Sequence, residues 1–293
     1  MYKNILFLFV SAALLFVSAC SDDDDNSIVE VDNPQVSITD AQNIDNSILL
    51  PGDTVRFSVQ GQAGTNPLQH VRFFENGERL PNFATRLFVN DSLSPATQLN
   101  IAPGSANSVS LDINVMILVP QLGGNYEVEI ELADPDENTS RASLSYFVKD
   151  VVESEGVLEN SAKDGPTGGL DLSSGESTSF ESTSADIIDF GNDPDGSWQQ
   201  RIANVDTNLV ADRPLQLVVF DGGLDFDGVL TKAEVRERFQ EGEIVEDSGR
   251  EVETGEVYGL QRGVEYFLLS VASVNNSQGD NNDSYTFSIK AAQ

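Results

Sequence analysis

Apolar and polar residues alternate with a period of two along much of the first half of the chain. In the segment 54–59, for example, Val55, Phe57 and Val59 alternate with polar neighbours. Such alternation places the apolar side chains on one face of a β-strand. Gly, Pro, Asn and Asp between these segments indicate turns, so we predict an Ig-like antiparallel β-sandwich over 35–149. Its predicted strands are 54–59, 71–80 (a hairpin around Asn76-Gly77), 108–119, 125–132 (with Glu127, Glu129 and Glu131 facing outward) and 141–148.

The second half of the chain has a strand-like pattern that one helix interrupts. We predict this helix over 232–240, because Thr231 and Glu234 are spaced as a capping box and Val235 and Phe239 lie on one helical face.

A change in composition separates the two halves. Residues 150–168 are rich in charge, Gly, Ser and Pro, which predicts an interdomain linker. The expected fold class is therefore mainly β: the sandwich, and then a second β-rich domain over 169–293 with one short helix. The predicted strands of this second domain are 169–172, 185–190, 215–220, 264–274 and 285–290.

The first residues of the chain show a processing pattern. Lys3 precedes an apolar run over 5–17 that is too short to span a bilayer core of about 30 Å. The run ends in small residues followed by Cys20, the one cysteine of the sequence. This arrangement resembles a bacterial lipoprotein signal, and the resemblance implies removal of 1–19 and acylation of Cys20.

An acidic segment follows, and we predict that residues 20–34 form a flexible tether. Its start resembles the surface-export signal of Bacteroidota lipoproteins. We therefore expect a protein anchored to the outer membrane through the lipid on Cys20 and exposed at the cell surface. The residues of the export signal are Ser21, Asp22, Asp23, Asp24 and Asp25.

Composition and charge argue against nucleic-acid binding and against sites that depend on cysteine or histidine. The formal charge is −32, from 48 acidic and 16 basic residues, and such a surface repels nucleic acid. With Cys20 assigned to the lipid, the sequence offers no disulfide, thiolate metal site or cysteine nucleophile. His70 is the one histidine, which argues against histidine-based zinc sites and a Ser-His-Asp triad.

Three segments of the first half resemble the immunoglobulin-like and PKD-like modules of bacterial surface proteins. Residues 71–80 carry the Asn-Gly turn, 124–130 follow the pattern Gly-x-Tyr-x-Val-x-Ile, and 133–136 form an acidic turn. The resemblance implies a spacer or interaction module, a family without shared catalytic residues.

The second half resembles the C-terminal domain of uncharacterised Bacteroidota lipoproteins, through the segments 169–175, 184–190, 226–227 and 282–290. It is also distantly similar to HmuY-like lipoproteins, which coordinate haem through paired histidines. The second half contains no histidine, so we do not expect haem ligation of that kind.

The segment 225–234 resembles the calcium-binding loop of an EF-hand. Asp225 and Asp227 fall on the third and fifth positions of that loop, and Glu234 on the twelfth. Gly223, however, stands at the first position, where a carboxylate is needed. We therefore favour a turn that caps the following helix, with Ca²⁺ bound by Asp225, Asp227 and Glu234 as the alternative.

Two other groups of polar residues read as solvated turns, with calcium binding as the alternative. The first group is Asp186, Asp189, Asp193 and Asp195, and the second is Asn281, Asn282 and Asp283.

Trp198 follows the predicted turn at 193–196. On an exposed loop an indole ring can stack on a sugar ring, as in carbohydrate-binding modules. A lone large aromatic side chain more often fills the edge of a core. We favour core packing for Trp198 and keep ligand binding as the alternative.

These patterns predict a non-catalytic surface lipoprotein that binds an extracellular glycan or a protein partner in the outer membrane. A Ca²⁺-dependent structural or adhesive protein is the alternative, and a small hydrolase or a haem-binding lipoprotein is less favoured. The sequence has no Gly-x-Ser-x-Gly elbow, P-loop or dinucleotide fingerprint, so we do not expect an enzyme. We expect no cofactor other than calcium in the alternative interpretation.

Overall fold

The computed structural model describes residues 32–42, 48–79, 85–94, 96–205, 215–246, 249–277 and 281–293. Within these residues the chain is mainly antiparallel β-sheet with one short α-helix, which confirms the predicted fold class. The predicted signal peptide 1–19, Cys20 and the export signal 21–25 lie outside the described residues.

The first half forms two five-stranded sheets with the strand orders β1-β3-β8-β5-β6 and β2-β10-β9-β4-β7. A 3-10 helix at Ala106–Ser108 precedes β8. The strands are β1 (Gln35–Gln42), β2 (Ile48–Leu49), β3 (Thr54–Gln62), β4 (His70–Glu75), β5 (Leu87–Val89), β6 (Ser92–Leu93), β7 (Gln98–Asn100), β8 (Ser110–Leu118), β9 (Gly124–Ala133) and β10 (Thr139–Val148).

The second half forms a six-stranded sheet, β11-β21-β20-β19-β16-β17, and a five-stranded sheet, β13-β12-β14-β15-β18. The elements are β11 (Val152–Glu159), β12 (Gly168–Asp171), β13 (Glu176–Ser179), β14 (Ile187–Asp189), β15 (Arg201–Asn204), β16 (Leu215–Val219), α1 (Lys232–Phe239), β17 (Glu243–Ile244), β18 (Arg250–Glu251), β19 (Val257–Arg262), β20 (Glu265–Asn275) and β21 (Ser284–Ala292).

The alternating pattern builds the core of the first half as predicted. Val55, Phe57 and Val59 on β3 are buried between the two sheets. On β4 the adjacent Phe73 and Phe74 point to opposite faces, so Phe73 is fully buried and Phe74 is partly exposed. The second half has a separate core cluster of its own.

The hairpin that we predicted over 71–80 is only partly formed. Asn76 and Gly77 have positive φ angles of 51° and 78°, as a tight hairpin turn requires. Across this turn, a single β-bridge of the backbone pairs Glu75 with Glu78. β4 pairs instead with β9 and β7, because these longer-range partners supply the hydrogen bonds of the sheet. Leu80 lies outside the described residues.

Glu131 lies on the outer face of β9, as predicted, yet only 5% of its surface is exposed. Arg72 Nη1 lies 3.0 Å from Glu131 Oε1, and Arg141 Nη2 lies 2.7 Å from Oε2. Both arginines come from strands that flank β9, so their long side chains cover the carboxylate and neutralise it.

Part of the predicted linker 150–168 is a strand. Residues Val152–Glu159 form β11, which pairs antiparallel with β21 along its whole length. Glu153 and Glu155 are exposed on this edge strand. Charged side chains are common on sheet edges, where they oppose aggregation, and they give an edge strand the composition of a linker. The second sandwich therefore starts at β11.

The helix prediction is confirmed to within one residue. α1 spans Lys232–Phe239, and both hydrogen bonds of the capping box between Thr231 and Glu234 are present. The helix lies at the junction of the two halves: Lys232 N donates to Asp150 Oδ1 at 2.8 Å, and Asp150 N donates to Leu230 O at 3.2 Å.

A buried acid–arginine pair joins the two sheets of the first half. Glu75 on β4 is 3% exposed, and its Oε2 lies 2.6 Å from Arg86 Nη2. Arg86 Nη1 also donates to Leu118 O, on β8 of the other sheet, at 3.1 Å. The arginine therefore connects a carboxylate of one sheet to the backbone of the other.

The second half contains a pair with the same role. Asp186 is fully buried beside β14, and its Oδ2 lies 2.9 Å from Nη1 of Arg262 on β19 in the facing sheet. The same Oδ2 accepts a hydrogen bond from Leu172 N at 2.9 Å. The Arg262 guanidinium also lies 4.9 Å from the ring centre of Phe267. We define these as the two inter-sheet pairs, Glu75–Arg86 and Asp186–Arg262.

Replacing Arg262 by Leu leaves the carboxylate of Asp186 buried without its charge partner. We expect Arg262→Leu to lower the free energy of unfolding by about 3–5 kcal/mol. Urea denaturation followed by the fluorescence of Trp198, the one tryptophan of the chain, measures this. Arg238→Leu is the control, because Arg238 pairs with Glu241 on the exposed face of α1 and such pairs contribute about 0–1 kcal/mol. Equal losses in the two variants would contradict a structural role for the pair.

Candidate functional site

A tight turn places Trp198 at one end of the second sandwich. Asn192 and Trp198 form a β-bridge, and within the loop that they enclose Asp193 N donates to Ser197 O at 2.8 Å. Gly196 has a φ of 90°, a conformation that glycine adopts without strain. The chain therefore returns over the sandwich, and the indole ring packs against the core.

The carboxylate of Asp189 fixes the orientation of the indole ring. Asp189 Oδ1 accepts hydrogen bonds from Trp198 Nε1 at 2.9 Å and from the hydroxyl of Tyr285 at 3.1 Å. Its Oδ2 accepts bonds from the backbone nitrogens of Ser161 and Gly191, at 3.0 and 2.7 Å. All four donors converge on one buried carboxylate, and the Trp198 and Tyr285 rings lie 4.7 Å apart.

Burial raises the pKa values of both Asp189 and Tyr285. It raises the pKa of Asp189 above the ordinary value for aspartate, and the hydrogen bonds from Ser161, Gly191, Trp198 and Tyr285 oppose that rise. Burial and the adjacent carboxylate also raise the pKa of Tyr285 far above the usual phenol value. The phenol therefore stays protonated and remains a donor.

A network of amides continues from this group to the loop before β21. Asn160 Nδ2 donates to Asp283 Oδ2 at 2.8 Å and to Asn192 Oδ1 at 2.9 Å. Asn192 Nδ2 donates to Asn281 Oδ1 at 2.8 Å. Asp283 Oδ1 accepts from Ser277 N at 2.7 Å. These bonds join residues that are far apart in the sequence into one rigid rim.

The rim and the indole ring line a cavity of about 360 Å³. We call it the Trp198 cavity and define it by its lining residues. The lining combines one large aromatic ring with amide, hydroxyl and carboxylate groups, which can exchange hydrogen bonds with a polar ligand. Its residues are Gly196, Ser197, Trp198, Asn276, Ser277, Asn281 and Asp283.

The structure brings together residues that the sequence placed in separate turns. Trp198, Asn281 and Asp283 meet at this cavity, and Asp189 holds the Trp198 ring, whereas Asp186 belongs to the inter-sheet pair. Our prediction of solvated turns is wrong for Asp186, Asp189 and Asp283, which are 0%, 3% and 5% exposed.

One signal in the sequence could have found Asp189. It lies two residues after the buried Ile187, so the period of two places it on the core face of β14. Asn160 and Ser277 carried no comparable signal, since only the tertiary fold brings them to Asp283.

The segment 225–234 holds an internal cation, the ammonium group of Lys290. Lys290 is 2% exposed, and its Nζ donates to Phe226 O and Val229 O, both at 2.8 Å, and to Asp227 O at 3.2 Å. It also lies 3.4 Å from Glu153 Oε1. The one backbone carbonyl that an EF-hand loop directs at its metal, at the seventh position, is here that of Val229, and it accepts a hydrogen bond from Lys290 of β21.

Two of the three residues of the calcium hypothesis, Glu234 and Asp225, make hydrogen bonds within the loop, and the third, Asp227, is exposed. Glu234 Oε2 accepts from the backbone nitrogens of Leu230 and Thr231, at 2.9 and 2.8 Å, as the capping box requires. Asp225 Oδ1 accepts from Gly228 N at 3.1 Å. Among the described residues, no group of three or more His, Cys, Asp or Glu side chains is arranged to hold a metal ion.

The described part of the chain also contains no helix with the length and apolar content needed to cross a membrane. The lipidation site predicted at Cys20 lies outside this part and stays a prediction.

Comparisons with known proteins give distant likenesses. No family model and no curated protein matches the chain. Among solved structures, the chain is similar to a DUF4466 family protein from Parabacteroides merdae (8% identity, TM-score 0.36, covering 90% of this chain and 100% of that one). It is also similar to a conjugative transposon lipoprotein from Bacteroides eggerthii (11%, 0.28, 39% and 96%). At these identities and TM-scores the likenesses carry no argument about function.

Replacing Lys290 by Met removes the donor from three backbone carbonyls that the loop directs at its ammonium group. We expect Lys290→Met to lower the free energy of unfolding by about 1–3 kcal/mol, because buried acceptors are left unsatisfied. Chemical denaturation measures the loss. Lys163→Met is the control, since Lys163 pairs with Glu159 at a more exposed position. If the two variants unfold alike, Lys290 does not hold the loop.

Replacing Asp189 by Asn exchanges one of the two accepting oxygens for an NH₂ group. That group is a donor, and it would face groups that are donors themselves. We expect a loss of about 1–3 kcal/mol in the free energy of unfolding and a red shift of the Trp198 emission as the indole loses its anchor. Denaturation and steady-state fluorescence measure both effects. Asp195→Asn is the control. Asp195 lies in the turn just before Trp198, but it is exposed and accepts one hydrogen bond, from Ser197 N. An unchanged emission in Asp189→Asn would contradict the orienting role of the carboxylate.

Proposed function

We propose that the protein is a non-catalytic surface module, anchored through a lipid on Cys20, that binds an extracellular glycan in the Trp198 cavity. The observation that carries this proposal is the pairing of an oriented indole ring with polar groups around one open cavity. The apolar C–H face of a sugar ring packs on an aromatic face, and the sugar hydroxyls exchange hydrogen bonds with amides and carboxylates.

The fixed position of the ring supports this proposal. Trp198 packs on Tyr285 and is held by Asp189, so it loses little conformational freedom when a ligand binds. Asn276, by contrast, is exposed, and its side chain makes no hydrogen bond within the described residues. Its amide is therefore available to a ligand at the rim of the cavity.

The state of the carboxylates favours binding over catalysis. Asp189 accepts four hydrogen bonds, and both oxygens of Asp283 accept bonds, from Asn160 and Ser277. Glycoside hydrolysis needs one carboxylic acid and one carboxylate placed on either side of the scissile bond. Asp283 in the cavity lining and Asp189, which holds the indole ring, are instead committed to the framework by these hydrogen bonds.

The predicted anchor suits a binding role at the cell surface. The last residues of the predicted tether 20–34 belong to the first sandwich, since Asp32 N donates to Thr65 Oγ1 at 2.9 Å, Thr65 N donates to Asp32 O at 2.9 Å, and Pro34 is buried.

Binding to a panel of neutral and acidic oligosaccharides tests the proposal, with fluorescence of the single tryptophan as the readout for wild type. We expect a binding glycan to change the Trp198 emission. We expect Trp198→Ala to weaken binding, in a calorimetric assay, by about tenfold or more, the loss that a well-packed aromatic contact gives.

Two further variants separate binding from folding. Asn276→Ala changes an exposed side chain, so we expect weaker binding with an unchanged melting temperature. Phe180→Ala is the control, because Phe180 is 43% exposed and lies outside the cavity lining. The proposal fails if no glycan on the panel binds, or if binding is insensitive to both Trp198→Ala and Asn276→Ala.

A further inference from the structure

A row of side chains crosses the outer face of the first sheet, away from the Trp198 cavity. The register pairs Gln42 with Arg56, Arg56 with Met116, Met116 with Phe88, and Phe88 with Leu93. Side chains that are directly paired lie on the same face of a sheet. The row therefore joins an arginine to three neighbouring apolar side chains, of which Leu93 is 51% exposed.

A cavity of about 290 Å³ opens on the arginine end of this row. We call it the Arg56 cavity. Asp40, near the end of β1, and Asp91, in the turn between β5 and β6, lie on its wall together with Arg56. Asn114 and Met116 of β8 also line the cavity.

The charges of this cavity have no partners within the described residues. There the side chains of Arg56, Asp40 and Asp91 form no hydrogen bond and no ion pair, and all three residues are exposed. Arg72 and Arg262 behave differently, since each is paired with two carboxylates at 3.0 Å or less. Among the described residues, the cavity thus presents one guanidinium and two carboxylates without partners, beside an apolar surface.

This arrangement is complementary to a ligand that carries a carboxylate, an ammonium group and an apolar part. A guanidinium binds a carboxylate through two parallel hydrogen bonds, and an ammonium group binds between carboxylates. We propose that the Arg56 cavity binds a free α-amino acid with an apolar side chain. Its carboxylate binds Arg56, its ammonium group binds Asp40 and Asp91, and its side chain lies along Met116 and Phe88.

Three small probes test each charge of the ligand separately: L-leucine, 4-methylpentanoate without the ammonium group, and 3-methylbutylamine without the carboxylate. Isothermal calorimetry on the full-length protein in detergent measures their affinities at constant ionic strength. We expect L-leucine to bind about tenfold or more tightly than either analogue, because each analogue leaves one set of protein charges without a partner.

Substitutions in the cavity test which charged side chain binds which charge of the ligand. We expect Arg56→Gln to weaken L-leucine binding by about tenfold or more. Arg236→Gln is the matched control, since Arg236 is an exposed arginine of α1 without an ion pair in the described part of the chain, and we expect it to bind as wild type does. Asp91→Asn should weaken L-leucine binding and strengthen 4-methylpentanoate binding, because it removes a negative charge that repels the anion.

Three results would overturn the proposal: no binding of L-leucine, equal binding of the three probes, or binding that Arg56→Gln leaves unchanged. All three concern a surface of the first sandwich. They are therefore independent of the glycan experiment, whose variants lie in the second sandwich.

Discussion

In each sandwich a buried carboxylate and an arginine join the two facing sheets. Glu75 and Arg86 do so in the first half, and Asp186 and Arg262 in the second. The sequence has a single cysteine, so a disulfide within the chain is impossible and the sheets are held by packing and by these pairs. A buried pair constrains the structure strongly, because loss of either partner leaves an uncompensated charge. The pairs therefore fix how the two sheets face each other while the apolar cores supply most of the stability.

A buried carboxylate also stabilises the Trp198 cavity, where it positions an aromatic ring and does not join two sheets. Asp189 is buried, and its cost of burial is offset by four donors, two of which come from the aromatic side chains of Trp198 and Tyr285. The result is an indole ring whose position is set before any ligand arrives. Preorganisation of this kind reduces the entropy lost on binding. The surrounding amides, Asn160 and Asn192 among them, extend the same rigidity to the polar rim.

The loop 225–234 has the spacing of a calcium-binding motif but a different binding partner in the folded protein. Its spacing resembles that of a calcium loop, yet the cation that it binds is the ammonium group of Lys290, which lies about sixty residues further along the chain. No local pattern connects the two, because β21 and the loop meet only when the last sheet is complete. The helix signal in the same segment was local, and the capping box of Thr231 and Glu234 formed as predicted.

The sequence by itself determined five of the ten strands of the first sandwich (β3, β4, β8, β9 and β10), the position of α1 and the mainly β class, because side-chain alternation and capping act between neighbours in the chain. It also limited the chemistry to carboxylates, amides and aromatic rings, since cysteine and histidine are nearly absent. The tertiary structure alone decided that β11 is a strand, that Glu131 and Asp186 are buried, and which side chains line each cavity. A polar residue becomes buried only when distant donors arrive to satisfy it, and those donors are set by strand order and not by sequence spacing.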